Sequence, residues 1–120
     1  MTTTAHSKGQ ETEDACCAYL KKQGLSLIEK NFHCRNGEID LIMKDDKTIV
    51  FIEVRYRRNN NFGGAIESIT PSKQKKVRAS AETYIQCNAI SDDVRIDFVA
   101  MTQDPDQLSG YTFEWIKNAF

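Results

Sequence analysis

The sequence predicts an α/β fold in which helices flank a mixed β-sheet, with the elements in the order α-β-β-β-α-β-β. Runs rich in β-branched and aromatic residues indicate strands, and residues 48–57 form the strongest of them. Apolar residues at helical spacing indicate two helices, one near the start and one between the third and fourth strands. A helix in that position makes a right-handed crossover between parallel strands.

The first helix is predicted from about Gly9 to Gln23, because apolar residues recur there at helical spacing and Gly24 follows as a stop. A strand of alternating character then runs from Leu25 to His33. Residues 34–37 form a turn, in which the Asn-Gly pair supplies the positive φ of a tight reversal. The first third of the chain is therefore a helix followed by the start of a hairpin.

The second strand covers Glu38 to Lys44, and the pair Asp45-Asp46 turns the chain. The third strand, Thr48 to Arg57, is apolar over most of its length and should lie at the centre of the sheet. A loop from Arg58 to Ala65 follows, because it holds three asparagines and two adjacent glycines. Three strands in succession therefore precede the crossover.

The second helix opens at Thr70, which suits the N-cap, and at Pro71, which suits the first helical position. Its apolar residues keep to one face as far as Asn88. A fourth strand from Val94 to Met101, a loop and a terminal strand from Tyr111 to Ile116 complete the predicted fold.

The composition indicates one globular domain, 1–120, with residues 1–8 as a flexible tail. The chain is 40% hydrophobic and 28% charged, and no run approaches the roughly 20 apolar residues that cross a bilayer. The first ten residues contain no apolar signal segment, so we expect a cytoplasmic protein with no membrane partner. Four cysteines without zinc spacing are expected to be reduced thiols, mostly in the core.

Charge is distributed unevenly, although the formal net charge is only -1. Seven basic residues stand against one acid in the middle of the chain: Arg55, Arg57, Arg58, Lys73, Lys75, Lys76 and Arg78. From Asp92 to Glu114 six acids stand against one arginine, and we expect that segment to lie away from the basic block. The basic block is either a solvated face or a face that binds phosphate, since clustered charge governs counterion release.

Charged residues on one face of the third strand are the main indication of function. Successive strand residues point to opposite faces, so Glu53 and Arg55 share one side of a strand that should be central. A turn at residues 45–46 would place Glu38 opposite Glu53 and Asp40 diagonal to it, within roughly 7–8 Å at the backbone. Two half-buried carboxylates at that distance repel each other and need compensation.

Two kinds of compensation are open on the residues alone. One is an ion pair of Glu53 or Asp40 with Arg55 or Arg57. The other is a divalent cation, because Mg²⁺ is held by one or two carboxylates together with water and phosphate oxygens. Glu13 adds a third acid at the border of the apolar stripe of the first helix.

Residues 37–42 and 50–57, joined by a short hairpin, resemble the core of PD-(D/E)xK nucleases. More narrowly, the chain resembles the YraN-like uncharacterised bacterial family UPF0102, which is similar to archaeal Holliday-junction resolvases. The resemblance covers nearly the whole chain and takes in Glu13, Asn31 and Lys73 outside the two strand motifs. It implies a restriction-endonuclease-like core of the order predicted above.

The resemblance also implies site residues. Asp40 and Glu53 match the two acidic metal ligands of the motif, for Mg²⁺ or Mn²⁺, and Glu13 matches a ligand that acts directly or through water. Arg55 stands where the motif has lysine, and an arginine with a pKa above about 12 does not act as a base. Lys73 offers a substitute, because it lies in the first turn of the second helix, near the carboxyl end of the third strand.

Three functions remain open at this stage. The first is a metal-dependent nuclease or resolvase acting on DNA, where a homodimer would suit a four-way junction. The second is a nucleic-acid-binding protein whose nuclease site is degenerate, and the third is a scaffold whose charged hairpin is only an ion-pair network. The residues expected to contact nucleic acid are Arg57, Arg58, Lys73, Gln74, Lys75, Lys76 and Arg78.

Overall fold

The computed structural model describes residues 8–58, 67 and 69–120 and contains two helices and five strands. Their bounds are α1 (Lys8–Lys22), β1 (Ser26–Cys34), β2 (Gly37–Asp45), β3 (Thr48–Arg57), α2 (Pro71–Cys87), β4 (Val94–Gln103) and β5 (Tyr111–Ile116). The predicted order and every element are confirmed, with bounds that differ by at most two residues. The predicted tail, apart from the residue that begins α1, and most of the predicted 58–65 loop lie outside the described residues.

The five strands form one mixed sheet in the order β1-β2-β3-β4-β5, so β3 is central. Strands β3 and β4 are parallel, and the other neighbouring pairs are antiparallel. Residues 49–53 of β3 are buried without interruption, as expected for a strand covered on both faces. Because β3 and β4 run parallel, their carboxyl ends lie at the same end of the sheet.

Each face of the sheet carries its own apolar core. On one face α1 packs Cys16, Cys17 and Leu20 against sheet residues that include Leu41 and Ile52. On the other face α2 provides three buried side chains to a core that is formed with the sheet: Val77, Ala81 and Tyr84. Burial of these apolar stripes fixes the position of each helix over the sheet.

The ends of the helices follow local sequence signals. Gly24 terminates α1 in the left-handed region at φ 104°, and the Leu25 amide donates to the Leu20 carbonyl at 3.1 Å. Thr70 caps α2, because its Oγ1 accepts from the Lys73 amide at 3.1 Å. Neither helix in the described part of the chain is long and apolar enough to cross a membrane.

The hairpin between β2 and β3 turns one residue later than predicted, at residues 46–47. Asp46 takes the left-handed conformation, at φ 57°, which an aspartate tolerates better than most residues. The register is consequently shifted by two residues, and the expectation that Glu38 lies opposite Glu53 is wrong. Continued past its last pair, the observed register brings Asp40 level with Glu53.

The cysteines are free thiols, and the expectation that most of them lie in the core holds for two. Cys16 and Cys17 are buried under α1, whereas Cys34 is half-buried at the end of β1 and Cys87 is exposed at the end of α2. Cys16 and Cys17 are neighbours on a helix that packs closely on the sheet, and both reach the core. Cys87 lies in the last turn of α2, which extends beyond the core.

A buried ionic network that the sequence does not announce joins β4 to the end of the chain. Asp97 is completely buried and accepts from Arg95 Nε at 3.0 Å, from Trp115 Nε1 at 2.9 Å and from the Asn118 amide at 2.8 Å. Arg95 also pairs with Asp45 at 2.9 Å. All of these donors offset the cost of burying the Asp97 carboxylate.

Replacement of Arg95 by methionine should lower the free energy of unfolding by about 3 kcal/mol, because it leaves the buried Asp97 charge without its cation. Lys44→Met is the matched control, since the Lys44–Asp92 pair is 3.7 Å long and half-exposed. That control should cost less than about 1 kcal/mol. Urea unfolding measures both, and equal losses would contradict this interpretation of Asp97.

Candidate active site

Strands β2 and β3 separate at one end, and this separation creates the site. Their ladder ends at the pair Leu41–Ile52, although β2 begins four residues earlier and β3 continues for five more. Residues 37–39 pair only with β1, and residues 53–57 pair only with β4. The centre of the sheet is therefore open at this end, where side chains can meet without a continuous ladder between them.

Four side chains from four elements meet at the opening. Asp40 comes from β2 and Glu53 from β3, and their carboxyl groups interact with each other. Glu13 of α1 interacts with the Asp40 carboxyl group from the opposite side. Lys73 of α2 reaches Glu53, with Nζ 3.4 Å from Oε2. The structure thus brings together four of the five residues expected to carry catalysis.

Asp40 closes the point at which the ladder breaks. Its Oδ2 accepts a hydrogen bond from the Val54 amide at 2.8 Å, so a side-chain oxygen satisfies a backbone donor of β3. The residue is only 7% exposed. Burial raises the pKa of Asp40, and the bond from Val54 opposes the shift because it favours the charged form.

The cation beside Glu53 is Lys73, so the alternative in which Glu53 forms an ion pair with Arg55 does not hold. Glu53 is 5% exposed and Lys73 is half-buried. Arg55 is exposed and makes no ion pair with any residue in the described ranges. The start of α2 lies over the carboxyl end of β3 and directs Lys73 inward, whereas Arg55 lies one pleat beyond the buried part of β3.

The acids of the site are under electrostatic strain. Burial, followed by the neighbouring Asp40 charge, raises the pKa of Glu13 to about 7 and that of Glu53 to about 7. Lys73 lowers the pKa of Glu53, but it does not offset these two effects. Within the described ranges, the ion pair with Lys73 therefore compensates the three carboxyl groups only in part. Additional positive charge at this position would stabilise the ionised cluster.

The donor set fits a hard divalent cation bound by few protein ligands. Among the residues that the structure describes, no three His, Cys, Asp or Glu side chains are arranged as a ready metal centre. Asp40 and Glu53 nevertheless present oxygen atoms side by side, and Mg²⁺ commonly takes one or two carboxylates and completes its shell with water. Glu13 stands behind Asp40, where it would act through water.

The residues expected to bind nucleic acid divide by exposure. Arg58 is exposed directly after the end of β3, and the remaining exposed residues lie along α2: Lys75, Lys76 and Arg78. Arg57 is half-buried at the end of β3. Gln74 uses its amide internally, because Nε2 donates to the Ile69 carbonyl at 3.2 Å. Three of the exposed cations thus belong to the first half of α2, the helix that carries Lys73.

The acidic segment is divided between the two ends of the sheet, so its predicted separation from the basic block holds only in part. Asp92 and Asp93 precede β4, at the end opposite the site. Asp104 and Asp106 follow β4, at the same end as Arg57, because β3 and β4 run parallel. The Asp104 carboxylate is engaged locally by the Thr112 hydroxyl at 2.7 Å.

Asn31 is a site residue that reasoning from residue chemistry missed. It lies in β1, and its side chain interacts with Glu13 and lowers the pKa of that carboxyl group. Nothing in the strand pattern of residues 25–33 distinguishes it, because an asparagine on an exposed edge strand is ordinary. The family resemblance, which includes this position, was the available signal.

Comparison with known sequences matches the chain to one family. The model of "Uncharacterised protein family UPF0102" covers residues 12–101. A UPF0102 protein of Nitrosococcus oceani is 44% identical over 119 residues, which cover 98% of this chain and 94% of that protein. One from Colwellia psychrerythraea is 47% identical over 121 residues, which cover 98% of this chain and 92% of that protein. Both relatives align almost from end to end.

The raised pKa values of the acidic side chains predict how the stability of the metal-free protein depends on pH. A carboxyl group whose pKa is raised on folding binds its proton more tightly when folded, so its stabilising effect is full below the unfolded pKa and lost above the folded one. With chelator present, Glu53 should therefore lower the free energy of unfolding by on the order of 2 kcal/mol between pH 4.5 and pH 8.

Urea unfolding at several pH values, with Glu53→Gln as the comparison, measures this contribution. The difference in unfolding free energy between the variant and the wild type should grow in favour of the variant as pH rises through about 7. A difference that is constant with pH, or that grows in favour of the wild type, would contradict the strain assigned to the cluster.

Proposed function

The chain belongs to the uncharacterised protein family UPF0102, and we propose that it is a metal-dependent nuclease that hydrolyses phosphodiester bonds in DNA. One observation carries the proposal: Asp40 and Glu53 lie side by side at the split between β2 and β3, with Lys73 in contact with Glu53. Two carboxylates and an ammonium group at the open end of a sheet are suited to binding a cation and a phosphate together.

Each residue of the cluster has a distinct task in this proposal. Asp40 and Glu53 would hold Mg²⁺ or Mn²⁺, and Glu13 would act directly or through water. When bound, the cation supplies positive charge for the phosphate and lowers the pKa of a water molecule. Asp40 is fixed by the Val54 amide, so its remaining oxygen keeps one direction. Hydrolysis transfers hydroxide to phosphorus and a proton to the leaving sugar oxygen.

In this proposal two residues, Lys73 and Arg55, together perform the role that a single lysine has in the nuclease motif. Lys73 lies at the buried acids, where its ammonium group can hold the attacking water and offset charge on the phosphate. Arg55 is exposed at the mouth of the site and is suited to bidentate contact with a phosphate.

A second candidate is a DNA-binding protein without hydrolysis. It is favoured by the arginine at position 55, which stands where the nuclease motif has lysine. In that case Lys73 permanently replaces the cation at Glu53, and the exposed cations of α2 bind DNA alone. Cation binding separates the two candidates.

Asp40→Asn should weaken Mn²⁺ binding by tenfold or more while the protein stays folded, because it removes one of two carboxylate ligands. Titration calorimetry with Mn²⁺ at pH 8 measures the affinity. Asp93→Asn is the matched control, because Asp93 is an exposed acid at the opposite end of the sheet. Negligible heat with the wild type would reject the cation site and leave the binding-only candidate.

Cleavage of linear and four-way-branched DNA in Mg²⁺ should be lost in Glu53→Gln and in Arg55→Ala. DNA affinity should persist in Glu53→Gln, since that change removes only negative charge. Arg55→Lys should keep or raise the activity, because lysine holds a phosphate and is the residue of the motif. Gel assays with end-labelled substrates follow the products, and cleavage by Glu53→Gln at the wild-type rate would exclude this site.

DNA binding should weaken steeply with salt, because lysine and arginine contacts to phosphate release counterions. Replacing Lys75 and Lys76 by glutamine should reduce the slope of log affinity against log salt by about two. The same double change at Lys21 and Lys22, which are exposed at the end of α1, is the control and should leave the slope unchanged. Equal effects of the two pairs would show that α2 is not the contact face.

A further inference from the structure

Asn31 has a backbone conformation that is unusual for its place in the fold. Its φ is 54°, inside strand β1, whereas the other described non-glycine residues with positive φ lie in turns or after the ends of elements. An asparagine is among the few residues that adopt this conformation at a small cost. A left-handed residue within a strand interrupts the ladder at that point.

The interruption lies opposite Asp40. The ladder between β1 and β2 pairs Lys30 with Leu41 and Phe32 with Ile39, and the position between these pairs belongs to Asn31 and Asp40. On its other side Asp40 also lies beyond the last pair with β3. Asp40 therefore has no regular strand partner on either side, unlike the residues on both sides of it in β2. Its side chain can consequently interact with both Glu13 and Glu53.

The side chain of Asn31 contacts the same cluster. Its amide interacts with the Glu13 carboxylate and favours the charged form, and the next contact along the same two elements is the ion pair of Lys30 with Asp14 at 2.6 Å. These two polar contacts join the acidic side of α1 to β1.

We propose that Asn31 is a positioning residue that holds Glu13 against Asp40 for cation binding. This inference rests on the proposed function and deepens it. The left-handed backbone frees Asp40 from the ladder, and the amide group fixes the direction of Glu13. Groups that hold the residues around a metal site in place affect its affinity by about 10–100-fold when they are removed.

Asn31→Gly tests the role of the amide, because glycine keeps the left-handed backbone and removes only the side chain. Mn²⁺ affinity measured by calorimetry should fall about tenfold, while the urea midpoint changes little. Asn118→Gly is the matched control, since Asn118 has nearly the same φ, 53°, and lies in the carboxyl-terminal segment. Equal Mn²⁺ affinity of Asn31→Gly and the wild type would overturn the proposal.

A second measurement asks whether Asn31 acts through Glu13. In a Glu13→Gln background, Asn31→Gly should produce less than a twofold further loss of Mn²⁺ affinity, because the group it positions is already changed. A full tenfold further loss would overturn the assignment. Failure of the wild type to bind Mn²⁺ would instead reject the proposed function, so the two failures are distinguishable.

Discussion

Three carboxyl groups that repel one another lie together at one end of the sheet, and the rest of the candidate site is arranged around them. Glu13, Asp40 and Glu53 belong to three different elements, and folding brings them together at the cost of raised pKa values. Lys73 is the only ammonium group in contact with Glu53 among the described residues, and it offsets part of that cost. Such a cluster lowers the stability of the folded protein, and clusters of this kind are typical of functional sites.

The cluster forms where the pairing between β2 and β3 ends, because side chains can meet there in place of backbone hydrogen bonds. The β2–β3 ladder stops at Leu41 and Ile52, and the Asp40 side chain then replaces the missing backbone acceptor for Val54. On the neighbouring strand β4, the Asp97 network packs buried charge with enough donors to satisfy it. The buried Asp97 carboxylate is thus satisfied by hydrogen-bond donors, whereas the acids at the split between β2 and β3 are compensated only in part.

The sequence predicted what depends on local signals. The start of α2 follows from Thr70 and Pro71, and the central position of β3 follows from its apolar run. The β2–β3 register was predicted wrongly because it depends on which of two adjacent aspartates becomes left-handed, and Asp46 does so while its neighbour joins the ladder. The partner of Glu53 and the contact of Asn31 could not be read from strand alternation, since both depend on how a helix rests on the sheet.

Paramagnetic broadening of amide signals by substoichiometric Mn²⁺ locates a cation in the folded protein. If Asp40 and Glu53 form the site, the Val54 amide, which donates to Asp40, should broaden first, before amides in the acidic loop after β4. That loop carries Asp104 and Asp106 and reports on attraction of Mn²⁺ to exposed acids. Broadening that begins in the loop, or that leaves Val54 unaffected at saturating Mn²⁺, would show that the carboxylate cluster does not bind the metal.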